Sequence, residues 1–171
     1  DTVRSCLSMN YPGLISVVIT NDDKTPTQIE ELEQVNTRIQ KDLPLLSISG
    51  IREVYLRHST PHTQAKAGNL NQALDYVRQI HPEIELLITQ DADEIAYPDI
   101  AQALVGYFDN PKVAYVQTIK QSVTTSDDPF GNQDRLFYCR TSACRDADNA
   151  MFSCGSGVMW RIKSIESVGG F

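Results

Sequence analysis

The sequence predicts an α/β domain in which a mostly parallel central sheet carries helices on both faces. Three observations point there. β-branched apolar runs alternate with segments of helical period along the 171 residues, two of those runs end in paired acids, and no internal repeat or low-complexity stretch breaks the alternation. At 41% hydrophobic and 22% charged residues, the chain is long enough to bury roughly two thirds of its unfolded surface. A disordered tail and a disulfide-stapled miniprotein are excluded.

The first strand is Gly13 to Thr20, a nearly continuous β-branched run of the kind buried on both faces, stopping at Asn21-Asp22-Asp23. Pro26 opens a helix whose Ile29, Leu32, Val35 and Ile39 recur at three and four residues, with Glu30, Glu31 and Glu33 near its positive end. Arg52 to His58 is the second strand. Gly68 to Ile80 places Leu70, Ala73, Leu74, Val77 and Ile80 on one helical face, and Pro82 ends that helix. The strand Ile84 to Thr89 then runs directly into Gln90-Asp91-Ala92-Asp93-Glu94. Pro98 opens an amphipathic helix through Ile100, Leu104 and Phe108, and Val113 to Thr118 is a strand. Beyond it, Thr124 to Asp128 is polar and loop-like, Asn132 to Ala150 is helical, and Ser153 to Gly157 is a glycine-rich turn. Val158 to Arg161 forms a short strand before a last helix, Ser164 to Val168.

Fifteen Lys and Arg against 22 Asp and Glu give a net charge of -7, which argues against a nucleic-acid partner. Cys6, Cys139, Cys144 and Cys154 form no CxxC pair and are not spaced with His58, His62 or His81 as zinc ligands are, so reduced thiols are expected. The apolar stretch Leu14 to Thr20 is far short of the ~20 residues that span a membrane. The start at Asp1 and the end at Gly169-Gly170-Phe171 read as cuts in a longer chain, a domain truncated at both ends.

In open α/β sheets ligands bind beyond the carboxyl ends of strands, where Asp22-Asp23 and Asp91-x-Asp93 fall. Two carboxylates on a strand-end turn suit a hard cation, Mg²⁺ or Mn²⁺, that leaves coordination sites for phosphate oxygens. The competing reading is that these acids cap the next helix or are solvated. Lys66-Ala67-Gly68-Asn69-Leu70-Asn71 leads into a helix and offers a lysine and backbone N–H groups to an anion, or is a plain helix start capped by Asn69. Cys154-Gly155-Ser156-Gly157 is a tight turn or a substrate-contacting loop, and Cys154 lacks the His–acid partners of a nucleophile.

Together the segments KAGNLNQAL (Lys66 to Leu74), DADE (Asp91 to Glu94), VQT (Val116 to Thr118), RDADNAMFSCGSGVMWR (Arg145 to Arg161) and VGGF (Val168 to Phe171) resemble the processive family 2 glycosyltransferases, cellulose synthases especially. The resemblance implies a GT-A, Rossmann-like fold, with residues 1–118 binding the nucleotide sugar and 119–171 beginning the acceptor side. It implies transfer of glucose from a UDP-sugar donor to a glycan acceptor with inversion. It places Asp22 and Asp23 at the uracil and ribose, with Lys24 where glycine is usual, and Lys66 at the nucleotide. Asp91 and Asp93 match the metal-binding DxD, Asp93 the closer metal ligand. Gln117 and Thr118 match a QT(P) motif with Ile119 in place of proline, and Cys154, Gly155, Ser156 and Gly157 match the loop lining the acceptor and donor site.

By the same resemblance, a first nucleotide-binding strand precedes Asp1, while the general base, a QxxRW motif and membrane helices lie outside these residues, so the domain faces the cytoplasm from an inner or plasma membrane. That first strand belongs between the Leu14 to Thr20 and Ile84 to Thr89 strands. Without it those two are expected to pair directly, or the chain to self-associate. A catalytically inactive binding or regulatory module is the alternative function. A nucleotidyltransferase is a third, and it calls for a basic glycine-rich phosphate loop near the N-terminus that this sequence lacks.

Overall fold

The computed structural model describes residues 1–22, 24–46, 48–59, 64–124, 129 and 134–171. Helix α1 (Thr2–Leu7) leads through a turn into strand β1 (Ile15–Asn21). Helix α2 (Pro26–Asp42), with Pro26 at its first position, carries the chain back to β2 (Arg52–His58), which lies parallel to β1 from Ile15↔Arg52 to Asn21↔His58. Helix α3 (Ala65–Ile80) connects to β3 (Leu86–Thr89). Then come α4 (Ile100–Val105), β4 (Tyr115–Gln117), a helical stretch of α5 (Asp134–Leu136), a π-turn at Phe137–Thr141 and α6 (Ser142–Ala147), and finally β5 (Val158–Arg161) and α7 (Ile162–Ser167).

Helices cover both faces of the β1–β2 sheet, as the alternation predicts. Leu7, fully buried, packs with Ile39 of α2 and Val54 of β2, against Val17 and Ile19 of β1. On the opposite face Thr20 Oγ1 accepts a hydrogen bond of 3.1 Å from Asn69 Nδ2 of α3. Strand alternation accounts for the split, since odd and even side chains of one strand leave on opposite sides.

Two expectations need correction. The described strands form two sheets, β1–β2 and β3–β5–β4, and parallel pairing is confined to the first. Strand β5 returns between β3 and β4 and is antiparallel to both. Of the two outcomes expected for β1 and β3, direct pairing does not occur among the described residues. Between them runs a slot of about 1220 Å³, lined by successive residues of both strands (Leu14 to Thr20, Leu86 to Thr89), by α3, and by Met9 and Ala101. Successive residues belong to both faces of a strand, so what lines the slot is the strands' edges. This is why Ile15 to Thr20 are half-buried where burial on both faces was expected.

The slot ends are not equivalent. The first turns of α3 touch the carboxyl end of β1 through Thr20 and that of β3 through Asp91, so both strands run the same way and finish at the same rim.

Candidate functional site

At that rim the chain turns sharply after β3. The turn closes through Glu94 N–H to Asp91 O at 3.2 Å, leaving Asp93 exposed and without a hydrogen-bond or ion-pair partner among the described residues. Helix α3 begins earlier than its apolar pattern suggests. Gln64 and Ala65 take left-handed backbone angles (φ 61° and 48°), unusual for residues with a Cβ, and Lys66 follows in the first turn. Its ammonium ion-pairs with Asp91. Asn69 is therefore inside the helix and is not its cap; its side chain bonds Ser59 and Thr20 and fixes α3 to the ends of β1 and β2.

The glycine-rich loop meets the same turn. A Cβ at Gly155 (φ +81°) would stand 3.9 Å from Lys66 Nζ, and one at Gly157 (φ +62°) only 2.7 Å from Thr118 Oγ1, so the loop needs glycine at Gly157 on two counts. Gly157 N–H donates to Thr89 O (2.8 Å), and Thr118 donates to Gly157 O through both N–H (2.9 Å) and hydroxyl (2.7 Å). Gln117 Nε2 donates to Ser156 O at 3.0 Å while its Oε1 accepts Cys154 N–H at 2.7 Å. The polar atoms of Gln117 and Thr118 thus shape the loop.

Ser156 is fully buried, and its hydroxyl accepts Asp91 N–H at 3.0 Å and donates to Glu94. The other oxygen of Glu94 receives Lys120 Nζ at 2.6 Å. Beside Cys154 stands Tyr138, whose hydroxyl is pushed up to about 12 by burial first and then by the neighbouring thiol. No histidine contacts Cys154 among the described residues.

Of the residues singled out from sequence, Asp22, Lys66 and Asp91 line one end of the slot. Asp91, Lys66, Gln117, Thr118 and Cys154 to Gly157 join in one hydrogen-bonded and ion-paired assembly, with Asp93 exposed on its rim. Asp23 lies outside the described residues, as does His62. Sequence reasoning assigns no role to Glu94, Lys120 or Tyr138, although Glu94 closes the DADE segment that carries the resemblance.

No group of three or more carboxylate, His or Cys side chains that would cage a metal occurs among the described residues. Asp91 and Asp93 still fit a cation that keeps its waters and binds through one or two carboxylates plus substrate phosphates. Such an ion would compete with Lys66 for Asp91.

Strand-end acids, a lysine on a helix start and a glycine loop gather at one rim of an α/β domain, the place where ligands bind in open α/β folds. The chain belongs to glycosyl transferase family 2, whose model matches residues 1–169. It is 30% identical over 82% of its length to a UDP-forming cellulose synthase catalytic protein of Dictyostelium discoideum, and 32% identical over 68% to the UDP-forming cellulose synthase catalytic subunit of Pseudomonas fluorescens. The corresponding UDP-forming cellulose synthase of Komagataeibacter sucrofermentans is 29% identical over 99% of the chain. The chain spans 14%, 16% and 21% of the length of these relatives. No solved structure gives a significant match. No helix among the described residues is long and apolar enough to cross a membrane.

Proposed function

We propose that the chain is the donor-binding core of a membrane-associated inverting glycosyltransferase that moves glucose from UDP-glucose onto a growing β-glycan. One observation carries the reading: Lys66, Asp91 and the Gly155–Gly157 loop converge at the carboxyl end of β3, where a diphosphate needs a cation, a metal-holding acid and close backbone approach. In this reading Asp22 and Asp23 hold the nucleoside, and Lys66 exchanges Asp91 for a phosphate oxygen when the donor arrives. Asp91 stays beside the nucleotide sugar, and Asp93 is the principal ligand of Mg²⁺ or Mn²⁺. When bound, that ion neutralises charge on the departing diphosphate. Gln117 and Thr118 keep the Cys154–Gly157 loop in place against donor and acceptor. The acceptor hydroxyl loses its proton to a base that the matched motifs do not include.

Relatives whose names carry "UDP-forming" support the uridine assignment. Titration calorimetry with UDP and ADP in the presence of Mn²⁺ tests it. UDP should bind more tightly than ADP, with both Lys66→Met and Asp91→Asn weakening it. Equal or tighter binding of ADP, or indifference to both substitutions, would overturn the assignment.

A further inference from the structure

Glu94 sits at the centre of the site yet faces away from the open rim, its side chain 19% exposed. Its polar partners come from its own turn and from two other parts of the site. Its Oε2 accepts Gln90 Nε2 at 2.9 Å, Asp91 N–H at 3.3 Å and the Ser156 hydroxyl, and its Oε1 pairs with Lys120 Nζ at 2.6 Å. Ser156 closes the arrangement by accepting Asp91 N–H at 3.0 Å. Three segments far apart in sequence, the Gln90–Glu94 turn, the stretch after β4 and the glycine loop, are therefore bound to a single carboxylate.

We infer that Glu94 is a positioning residue for the Asp91–Asp93 cation site: it holds the turn that presents both carboxylates and locks that turn to the loop opposite. The inference rests on the metal reading proposed above. A carboxylate with four donors gathered around it is already satisfied, so Glu94 is a poor candidate for a ligand and a good one for an anchor. Its fixed contact with the Asp91 N–H sets the turn's direction, and its link through Ser156 sets the gap between the acids and Gly155, where Lys66 Nζ lies. A ligand held by an outer hydrogen-bond partner binds metal more tightly because its orientation is prepaid in folding.

The test is Mn²⁺ titration of the 171-residue chain, followed by paramagnetic broadening of the Asp91 and Asp93 amide signals. Glu94→Ala and Glu94→Gln remove the same charge, but glutamine keeps a carbonyl oxygen to accept Ser156 and Asp91. Expected are a loss of Mn²⁺ affinity of about tenfold or more in Glu94→Ala, a smaller loss in Glu94→Gln, and a loss in Ser156→Ala, which deletes only a hydroxyl. Equal losses in Glu94→Gln and Glu94→Ala would reduce the effect to charge and overturn the inference. So would wild-type affinity in Ser156→Ala, the variant to rely on if Glu94→Ala does not fold. If the wild-type chain shows no broadening at Asp91 and Asp93, the metal reading falls and takes the inference with it; if broadening is present and unaltered in the variants, the inference alone falls.

Discussion

The ammonium of Lys66, in the first turn of α3, is ion-paired with the carboxylate of Asp91, at the end of β3, 25 residues along the chain. Both side chains are substantially exposed, 54% and 39%, so the pair is a weak and exchangeable contact. An incoming cation and an incoming diphosphate would part it from opposite sides.

Removing the lysine therefore affects the two ligands in opposite directions. Lys66→Met should strengthen Mn²⁺ binding in the absence of nucleotide by no more than about fivefold, the range of an exposed ion pair. The same change should weaken UDP binding by about tenfold or more, since a charged hydrogen bond is lost. Parallel changes in both affinities would show that Lys66 does not hold Asp91 in reserve.

Asp93→Asn should abolish Mn²⁺ broadening at Asp91 to Glu94 while leaving the other amide shifts in place, and chelation of the ion should restore the wild-type signals. The comparison region is Glu30 to Glu33 on the exposed start of α2. Equal broadening there would mean that the acids form only a diffuse negative surface.

His81, at the end of α3, hydrogen-bonds Glu53 at 2.6 Å and Glu83 at 3.1 Å. Burial opposes its charge, but the two carboxylates outweigh burial and hold its pKa above the ordinary 6.5. Glu83 is held below the ordinary 4.5 by a backbone hydrogen bond first and by His81 in addition. The histidine's contribution to stability is complete below pH 6.5 and is lost as pH rises through its raised pKa; the glutamate's is complete above pH 4.5 and is lost as pH falls through its depressed one. Urea denaturation should show the cluster contributing most between those limits, and His81→Gln should flatten the decline on the alkaline side. An unchanged slope in that variant would assign the pH dependence elsewhere.

Arg52 at the start of β2 is buried and donates to five carbonyls: Leu7 (2.9 Å), Met9 (2.8 Å), Tyr11 (2.9 Å), Gly13 (3.1 Å) and Ile51 (2.9 Å). It ties the whole turn from α1 to β1 onto the second strand. Burial draws its pKa down. Lysine has three donors on one atom and cannot reproduce the planar fork, so Arg52→Lys should cost at least about 2 kcal/mol in urea denaturation. A loss below about 0.5 kcal/mol would mean that water replaces the fork freely.

Periodicity locates the long elements well because each carries its own signal: Arg52 to His58 has the bounds expected, and α2 starts at Pro26 as expected. Helix α1 carries no such signal. It has only six residues and takes its stability from packing Leu7 and Cys6 onto other elements, which no local pattern reveals. Asn69 reads as a cap because the Gly68 before it resembles a helix boundary, whereas the true start is set by Gln64 and Ala65 in strained angles. In the site, Asp91-x-Asp93, Lys66 and the glycine loop are legible as residue types. Their assembly is not, because the Glu94–Ser156 link joins positions 62 apart through a hydroxyl that sequence gives no reason to single out.

The slot between β1 and β3 leaves β1 paired along one edge only. Ile15 N–H donates to Ile51 O, and Asn21 O accepts Ser59 N–H, so the odd-numbered residues of β1 turn their backbone toward β2. Ser16, Val18 and Thr20 turn theirs into the slot. On β3, Thr89 O and Glu85 O accept from Gly157 and Ile162, leaving Leu86 and Ile88 to face the slot from the other side. In deuterated water the amides of Ser16, Val18 and Thr20 should therefore exchange at rates set by access to the slot, alternating with protected Val17 and Ile19. Any strand that docks there, from a second copy or from a longer form of the chain, would slow those amides together with Leu86 and Ile88 and turn the alternation into uniform protection.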